Sequence, residues 1–160
     1  AHLRDIRADG EIKMITLRRF TKEDAPYLQE RYSSLTREQI EEMICEWNSG
    51  RFDGKYFEML AIISGGCIVG TISLYEHSSE IISIGPEVFE PYRKNGYGKE
   101  AMLKACRIAA DREYKIVSQQ IRTDNAASIA LHLSLGFETN GAVYTNAKGN
   151  QVSIYLKSLL

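Results

Sequence analysis

Cysteine is scarce in this chain, and the three that occur, Cys45, Cys67 and Cys106, are widely spaced. No Cys-x-x-Cys pair is present and none stands beside a histidine at zinc-ligand spacing, which argues against a disulfide framework and against a metal site. The three thiols read instead as small apolar residues in a reducing compartment. Only three prolines occur, and no Pro/Ser-rich linker, repeat or low-complexity tract divides the chain. No apolar run approaches the roughly 20 residues that span a bilayer. Neither sign of charge dominates: 20 Lys and Arg oppose 21 Asp and Glu, leaving no nucleic-acid footprint. The stretch from Ala1 to Glu11 is polar and charged, without a signal-peptide pattern. These absences predict a cytoplasmic protein with no membrane, nucleic-acid or metal partner.

What is present is an ordinary globular composition, 44% apolar and 26% charged over 160 residues, enough for one compact domain. Met14 begins Met-Ile-Thr-Leu-Arg-Arg-Phe, which reads as the opening of a first strand. Residues 1–13 are therefore expected to be an N-terminal extension, native or added by cloning, and residues 14–160 a single domain.

Ile15–Phe20 alternates as a short strand, and Thr21 can cap a helix whose inner face is Ala25, Leu28 and Tyr32. Thr36-Arg-Glu-Gln39 is a capping-box pattern, followed by Ile40, Met43, Ile44 and Trp47 at helical spacing. Tyr56–Ile63 and Cys67–Tyr75 are β-rich runs joined by Ser64-Gly65-Gly66. Ile81–Phe89 is a strand interrupted by Gly85-Pro86, where a bulge or splay is expected because proline cannot donate to a ladder. A helix follows from about Tyr97 to Glu113, burying Met102, Ala105, Cys106 and Ala109. Ile116–Arg122 reads as a strand and Asn125–Leu135 as a helix burying Ala127, Ala130, Leu131 and Leu135. Phe137–Thr145 and Gln151–Lys157 read as two strands joined through Asn146-Ala-Lys-Gly149. The order β-α-α-β-β-β-α-β-α-β-β predicts an α/β fold with a mixed sheet, a parallel β-α-β crossover in its middle and helices on both faces.

The chemistry concentrates in Val88-Phe-Glu-Pro-Tyr-Arg93-Lys-Asn-Gly96-Tyr-Gly98-Lys-Glu-Ala, a strand, a turn with two glycines and a helix start. Glycines let the backbone turn and let a ligand approach the main chain. Exposed N–H groups at the helix start suit a phosphate or pyrophosphate, and Arg93, Lys94 and Lys99 add positive charge. A dinucleotide fingerprint would need a third glycine near Ala101, and a Walker A motif would need Gly-Lys-Ser/Thr; neither is present.

Arg-x-x-Gly-x-Gly at 93–98 resembles the Gln/Arg-x-x-Gly-x-Gly/Ala signature of the GNAT superfamily of N-acetyltransferases. Downstream, Asn125-Ala-Ala-Ser128-Ile-Ala-Leu-His132-Leu-Ser-Leu-Gly136-Phe137 resembles that family's second hallmark, an Asn- and Ser-bearing helix closing with Leu-Gly-Phe. The resemblance covers about residues 14–158. It implies a GNAT-like, mostly antiparallel central sheet with a parallel, splayed strand pair, and an acetyl group moved from acetyl-CoA to a primary amine of a small molecule or peptide. The pantetheine arm would lie between the strand ending near Phe89 and the strand Ile116–Arg122. Main-chain donors over Lys94, Asn95, Gly96, Tyr97, Gly98 and Lys99 would hold the pyrophosphate. Val88 and Phe89 would meet the arm, and an N–H near Val88 would polarise the thioester carbonyl. Asn125 would touch the cofactor, a role compatible with capping its own helix, and Ser128 belongs to the same hallmark. Members of that family often dimerise, which leaves a homodimer open here.

Direct transfer needs a neutral amine, yet an alkylammonium with a pKa of about 10.4 is neutral in only roughly one part in 10³ at pH 7. Glu87, at the interrupted strand, is the first candidate for the base, ahead of Glu76 and His77; its plainer reading is a solvated edge carboxylate. Many relatives place a tyrosine in Leu-Tyr-x-x-Leu-Gly-Phe to protonate the departing thiolate, and here His132 occupies that position. His132 is thus a candidate acid, a buried polar residue, or a bystander to a thiolate that leaves unassisted. Without an acid or a base, a coenzyme A-binding sensor that does not turn over is the alternative reading.

Overall fold

The computed structural model describes residues 15–160, so the expected extension at 1–13 lies outside the described residues. Twelve elements follow one another among them: β1 (Thr16–Arg19), α1 (Ala25–Arg31), α2 (Arg37–Trp47), β2 (Arg51–Phe52), β3 (Lys55–Ser64), β4 (Cys67–Glu76), β5 (Ile81–Val88), α3 (Tyr97–Asp111), β6 (Ile116–Arg122), α4 (Ala126–Ser134), β7 (Tyr144–Thr145) and β8 (Gln151–Ser158). The capping patterns act as the sequence implies. Thr36 Oγ1 accepts the Gln39 N–H at 3.1 Å while Gln39 Oε1 accepts the Thr36 N–H at 2.9 Å. The Thr21 N–H donates to Asp24 Oδ2 at 2.8 Å.

The strands form one open sheet in the order β1-β3-β4-β5-β6-β8-β7, with β2 paired to β3. Every pairing is antiparallel except β5–β6, which is parallel and holds only Ile81 opposite Ile116 and Ile82 opposite Val117. Beyond Ile82 and Val117 the two strands part. Alternation along the strands feeds a separate core on each face. One packs Leu60, Ile62, Ile72, Leu74, Ile82 and Ile84 against α3. The other packs Ala61, Ile68 and Phe89 against Leu28, Ile40 and Ile44 of α1 and α2. α4 lies on the α3 side, its Leu131 and, just past its end, Leu135 joining the first core.

Three sequence expectations change, and the fourth, a bulge or splay at Gly85-Pro86, resolves to a splay. β2 is an added two-residue strand, made by Asp53 and Gly54 at φ 55° and 77°, the left-handed pair of a tight hairpin turn. The strand expected over 137–145 shrinks to β7 and a single bridge between Glu138 and Leu156. There Thr139 Oγ1 and Asn140 Oδ1 accept the N–H groups of Gly141 and Ala142, at 3.2 and 2.9 Å, and these local bonds compete with a ladder. In α4, Ala127 and Ala130 face solvent and His132 takes a buried position beside Ile129 and Leu131, so the inward stripe includes a polar ring where apolar spacing predicted alanine. At Gly85-Pro86 no bulge forms: β5 runs in one unbroken register against β4 from Ile82 to Val88. The His77 N–H bonds to the Ile81 carbonyl and the Phe89 N–H to the Val69 carbonyl, so odd-numbered residues of β5 face β4. Even-numbered Pro86 turns its ring nitrogen toward the gap, where the ladder requires no donor. The splay is on the β6 side alone.

One glycine is sterically required. A Cβ on Gly70 of β4 would stand 2.2 Å from the Glu87 carbonyl oxygen, a backbone atom that cannot yield cheaply. A Cβ on Gly98, in the first turn of α3, would meet only side-chain atoms of Val88 and Leu131 at 3.6 and 4.0 Å. Gly70→Ala should therefore lower stability by about 2 kcal/mol, whereas Gly98→Ala should be neutral or stabilising by up to about 1 kcal/mol. Urea unfolding of the two variants checks this; equal midpoints would show that the β4–β5 approach is not tight.

Candidate functional site

The site begins where β5 leaves β6. The Gln119 side chain, in the middle of β6, takes over the pairing that the backbones abandon: its Oε1 accepts the Ile84 N–H at 2.9 Å and its Nε2 donates to the Ile84 carbonyl. Gln119 is 6% exposed, held between Val117 and Ile121 on the strand's inward face. The remaining Nε2 proton points to His132 Nε2 at 3.2 Å. His132 Nδ1 lies 2.7 Å from the Ser128 carbonyl, an acceptor, so Nδ1 carries the proton and Nε2 accepts from Gln119. His132 is 4% exposed. Its burial pushes the imidazole pKa below the usual value, against the opposing pull of the Ser128 carbonyl. On the other face, the Ser83 hydroxyl donates to the Ser118 carbonyl and meets His77 Nε2 at 2.6 Å. Two side-chain bridges thus close the apex of the opening, one per face.

Above the apex lies a cavity of about 370 Å³ whose walls include Ser73, Tyr75, Pro86, Gln120, Ser128 and His132. The β5 edge that borders the gap offers little hydrogen bonding. Ile84 is spent on Gln119, Pro86 has no N–H, and the Val88 carbonyl accepts from Arg93 Nε at 3.0 Å. The Pro86 carbonyl and the Val88 N–H remain without a partner among the described residues.

At the outer end, a 3-10 turn (Glu90–Tyr92) leads into Lys94 at φ 66° and Gly96 at φ 79°, both left-handed. Asn95 Nδ2 donates to the carbonyls of Tyr92 and Arg93, at 2.9 and 3.2 Å, and fixes the turn. The first helical bond of α3 runs from Glu100 N–H to the Gly96 carbonyl, so the N–H groups of Tyr97, Gly98 and Lys99 have no acceptor among the described residues. Ser64 Oγ donates to Tyr97 Oη at 3.2 Å, anchoring the helix start to the β3–β4 hairpin. Lys94 and Lys99 are exposed beside it. This cradle, with an unpaired donor and acceptor further down the gap, fits a long ligand with an anionic head and an amide-bearing arm.

The candidate residues divide accordingly. Val88, Arg93, Lys94, Asn95, Gly96, Tyr97, Gly98 and Lys99 converge at the outer end, and Ser128 and His132 at the inner end. Phe89 does not reach the gap: its N–H bonds to Val69, its carbonyl accepts from Tyr92, and its ring is buried under Arg31, whose guanidinium carbon stands 3.7 Å from the ring centroid. Asn125 Oδ1 accepts the Ser128 N–H at 3.1 Å and caps α4. Glu87 is exposed on the α1/α2 face. It faces Tyr32, whose phenol pKa is pushed up by burial and then by the Glu87 charge. Glu76 is turned to the opposite face, bonded by the Tyr114 hydroxyl. Sequence reasoning missed Gln119, Ser83, Tyr75 and Gly70. For Gln119 a signal existed, a lone amide in an inward stripe between Val117 and Ile121.

The model of the acetyltransferase (GNAT) family matches residues 17–137. The SPbeta prophage-derived uncharacterized N-acetyltransferase YokL of Bacillus subtilis is 32% identical over 99 residues, 60% of this chain and 56% of that protein, so the match spans about half of the relative's length. Among solved structures, the ribosomal L7/L12 α-N-protein acetyltransferase RimL in complex with coenzyme A superposes with a TM-score of 0.77 at 17% identity, covering 91% of this chain and 94% of that one. The Salmonella typhimurium acetyltransferase yncA, with its cofactor acetyl-CoA, superposes with a TM-score of 0.69 at 18% identity over 91% and 94%.

The buried imidazole generates a pH dependence. With its pKa below the ordinary 6.5, folded His132 binds fewer protons than the unfolded chain in the window beneath 6.5. The stability due to neutral His132 is complete above about pH 6.5 and declines as pH falls toward the folded pKa. Melting temperatures between about pH 7.5 and 5.5 should fall more steeply for the native protein than for His132→Phe; parallel curves would remove His132 from the apex bridge.

Proposed function

Since the chain belongs to the acetyltransferase (GNAT) family, we propose that it moves an acetyl group from acetyl-CoA to a primary amine of a small molecule or peptide. The observation that carries this reading is the pattern of unsatisfied main-chain groups: three free N–H groups at the start of α3, and one donor and one acceptor on the edge of β5. The N–H groups of Tyr97, Gly98 and Lys99, with the Lys94 and Lys99 ammonium groups, hold the diphosphate. The Pro86 carbonyl accepts from an amide of the pantetheine arm. Acetyl-CoA supplies the acyl group as an activated thioester. The Val88 N–H is the one unspent β5 donor on the gap and stabilises charge on the acyl oxygen. Glu87 removes the ammonium proton from an acceptor arriving on the α1/α2 face, where Gly85 and Glu87 are exposed and no helix of the other face intervenes.

His132 has a different task. Neutral, buried and bonded through both ring nitrogens, it orients Gln119 instead of donating a proton. The C–S bond breaks with its electron pair on sulfur, and the thiolate leaves without a protein acid, taking its proton from water, as a group ionising near pKa 8.5 can. That same lack of an acid is what favours the second reading, a coenzyme A sensor without turnover.

Free-thiol release from acetyl-CoA across a panel of amines decides between the two, with sustained release expected. Glu87→Gln should lower turnover by about 10²-fold or more while leaving coenzyme A affinity intact; unchanged turnover would return Glu87 to the solvated surface. Arg93→Ala combined with Gly96→Val should weaken coenzyme A binding in calorimetry, and unaltered affinity would contradict the assignment of the turn.

A further inference from the structure

The sheet face that carries Glu87 is only half covered. α1 and α2 pack over its Phe89 end, while toward the start of β5 the face bears four rings outside both cores. Phe52 approaches Phe57 at 6.1 Å and Tyr75 at 6.3 Å between centroids, Phe57 approaches Tyr75 at 6.5 Å, and His77 meets Tyr75 edge-on at 5.2 Å. The β2 hairpin turn holds Phe52 up with 60% of its surface exposed. This cluster is continuous with the reaction cavity, because Tyr75 is also one of the cavity's walls. The hydroxyls of Ser73 and Ser83 are the cavity's polar groups nearest to it along β4 and β5.

We propose that this aromatic cluster is the acceptor-specificity surface, and that it selects an amine carrying a flat apolar group, an aromatic ring by preference. The inference rests on the acetyl-transfer reading and names its substrate class. Its basis is position and chemistry together. An acceptor on the Glu87 face extends from Gly85 along β5 toward Ser83, the residue opposite Tyr75. Two strand positions separate Gly85 from Ser83, about 7 Å, a span that a short linker between amine and ring covers. Tyr75 and Phe52 then offer ring faces and edges to the substituent, and the edge of His77 completes the wall. The Lys55 ammonium beside the rings is engaged by the His77 carbonyl at 2.8 Å and no carboxylate is bonded to it among the described residues, so a cationic substituent finds no counter-charge there while a flat apolar one finds ring faces.

The test uses two amines that differ by one phenyl group, L-phenylalaninamide and L-alaninamide, titrated calorimetrically into the protein saturated with coenzyme A. With no acetyl group present, binding is read apart from turnover. Phenylalaninamide should bind about tenfold tighter or more. Phe52→Ser, at an exposed position, should reduce the ratio to about threefold or less, and Phe52→Trp should restore it. Equal affinities in the native protein, or a ratio untouched by Phe52→Ser, would overturn the proposal. Thiol release from acetyl-CoA reports separately on the parent reading. A phenyl preference without release leaves the aromatic surface standing and removes the enzymatic assignment; release with equal affinities does the reverse.

Discussion

A single side-chain amide determines where this sheet divides. β5 and β6 could continue as parallel neighbours past Ile82 and Val117, and a continuous ladder would leave no room for a ligand. Gln119 satisfies both main-chain groups of Ile84 with one planar amide, so the backbones separate without stranding buried donors or acceptors. Its third bond, to neutral His132, and that ring's bond to Ser128 tie the strand pair to the first turns of α4. The apex is thus a closed polar network in which every member has a partner, the condition under which buried polar groups rigidify a fold.

Rigidity at the apex gives the outer groups their value. The Val88 N–H and the Pro86 carbonyl are usable because they are fixed and unspent, and they are fixed because β5 keeps an unbroken register on β4. Gly70 permits that register by leaving space for the Glu87 carbonyl. The turn at 93–98 is braced in a similar way: Arg93 Nε donates to the Val88 carbonyl at the end of β5 and Asn95 Nδ2 to the carbonyls of Tyr92 and Arg93, while the first α3 amides stay unpaired among the described residues. Arg93 and Asn95, which look like ligand contacts in the sequence, thus brace the backbone here.

Much of the architecture was legible in the sequence because its signals are local. The capping pairs Thr21/Asp24 and Thr36/Gln39, the β-rich runs of β3 to β5 and the apolar face of α3 all fall where the sequence puts them. The glycine turn announced a donor cradle for the same reason. What escaped depended on partners distant in the chain. The buried His132 of α4 makes sense only with Gln119 across from it, and the required glycine at 70 only with Glu87 beside it. Phe89 was expected in the gap because it ends the strand, but strand parity sends its groups to β4 and its ring under Arg31. The shortened C-terminal hairpin reflects competition between Asn140's own turn and a ladder, a balance that alternation does not weigh.

Pro86 has one more effect. A sheet that parts in its middle exposes two inner borders, and a bare border invites a polypeptide to zip in and stack chains together. Such a segment would require hydrogen-bonding groups at each outward position of β5. Here Ile84 is already engaged and Pro86 offers a carbonyl but no N–H, so one rung is taken and the next is halved. An invading strand therefore finds fewer main-chain groups to pair with along this border than on an ordinary strand edge.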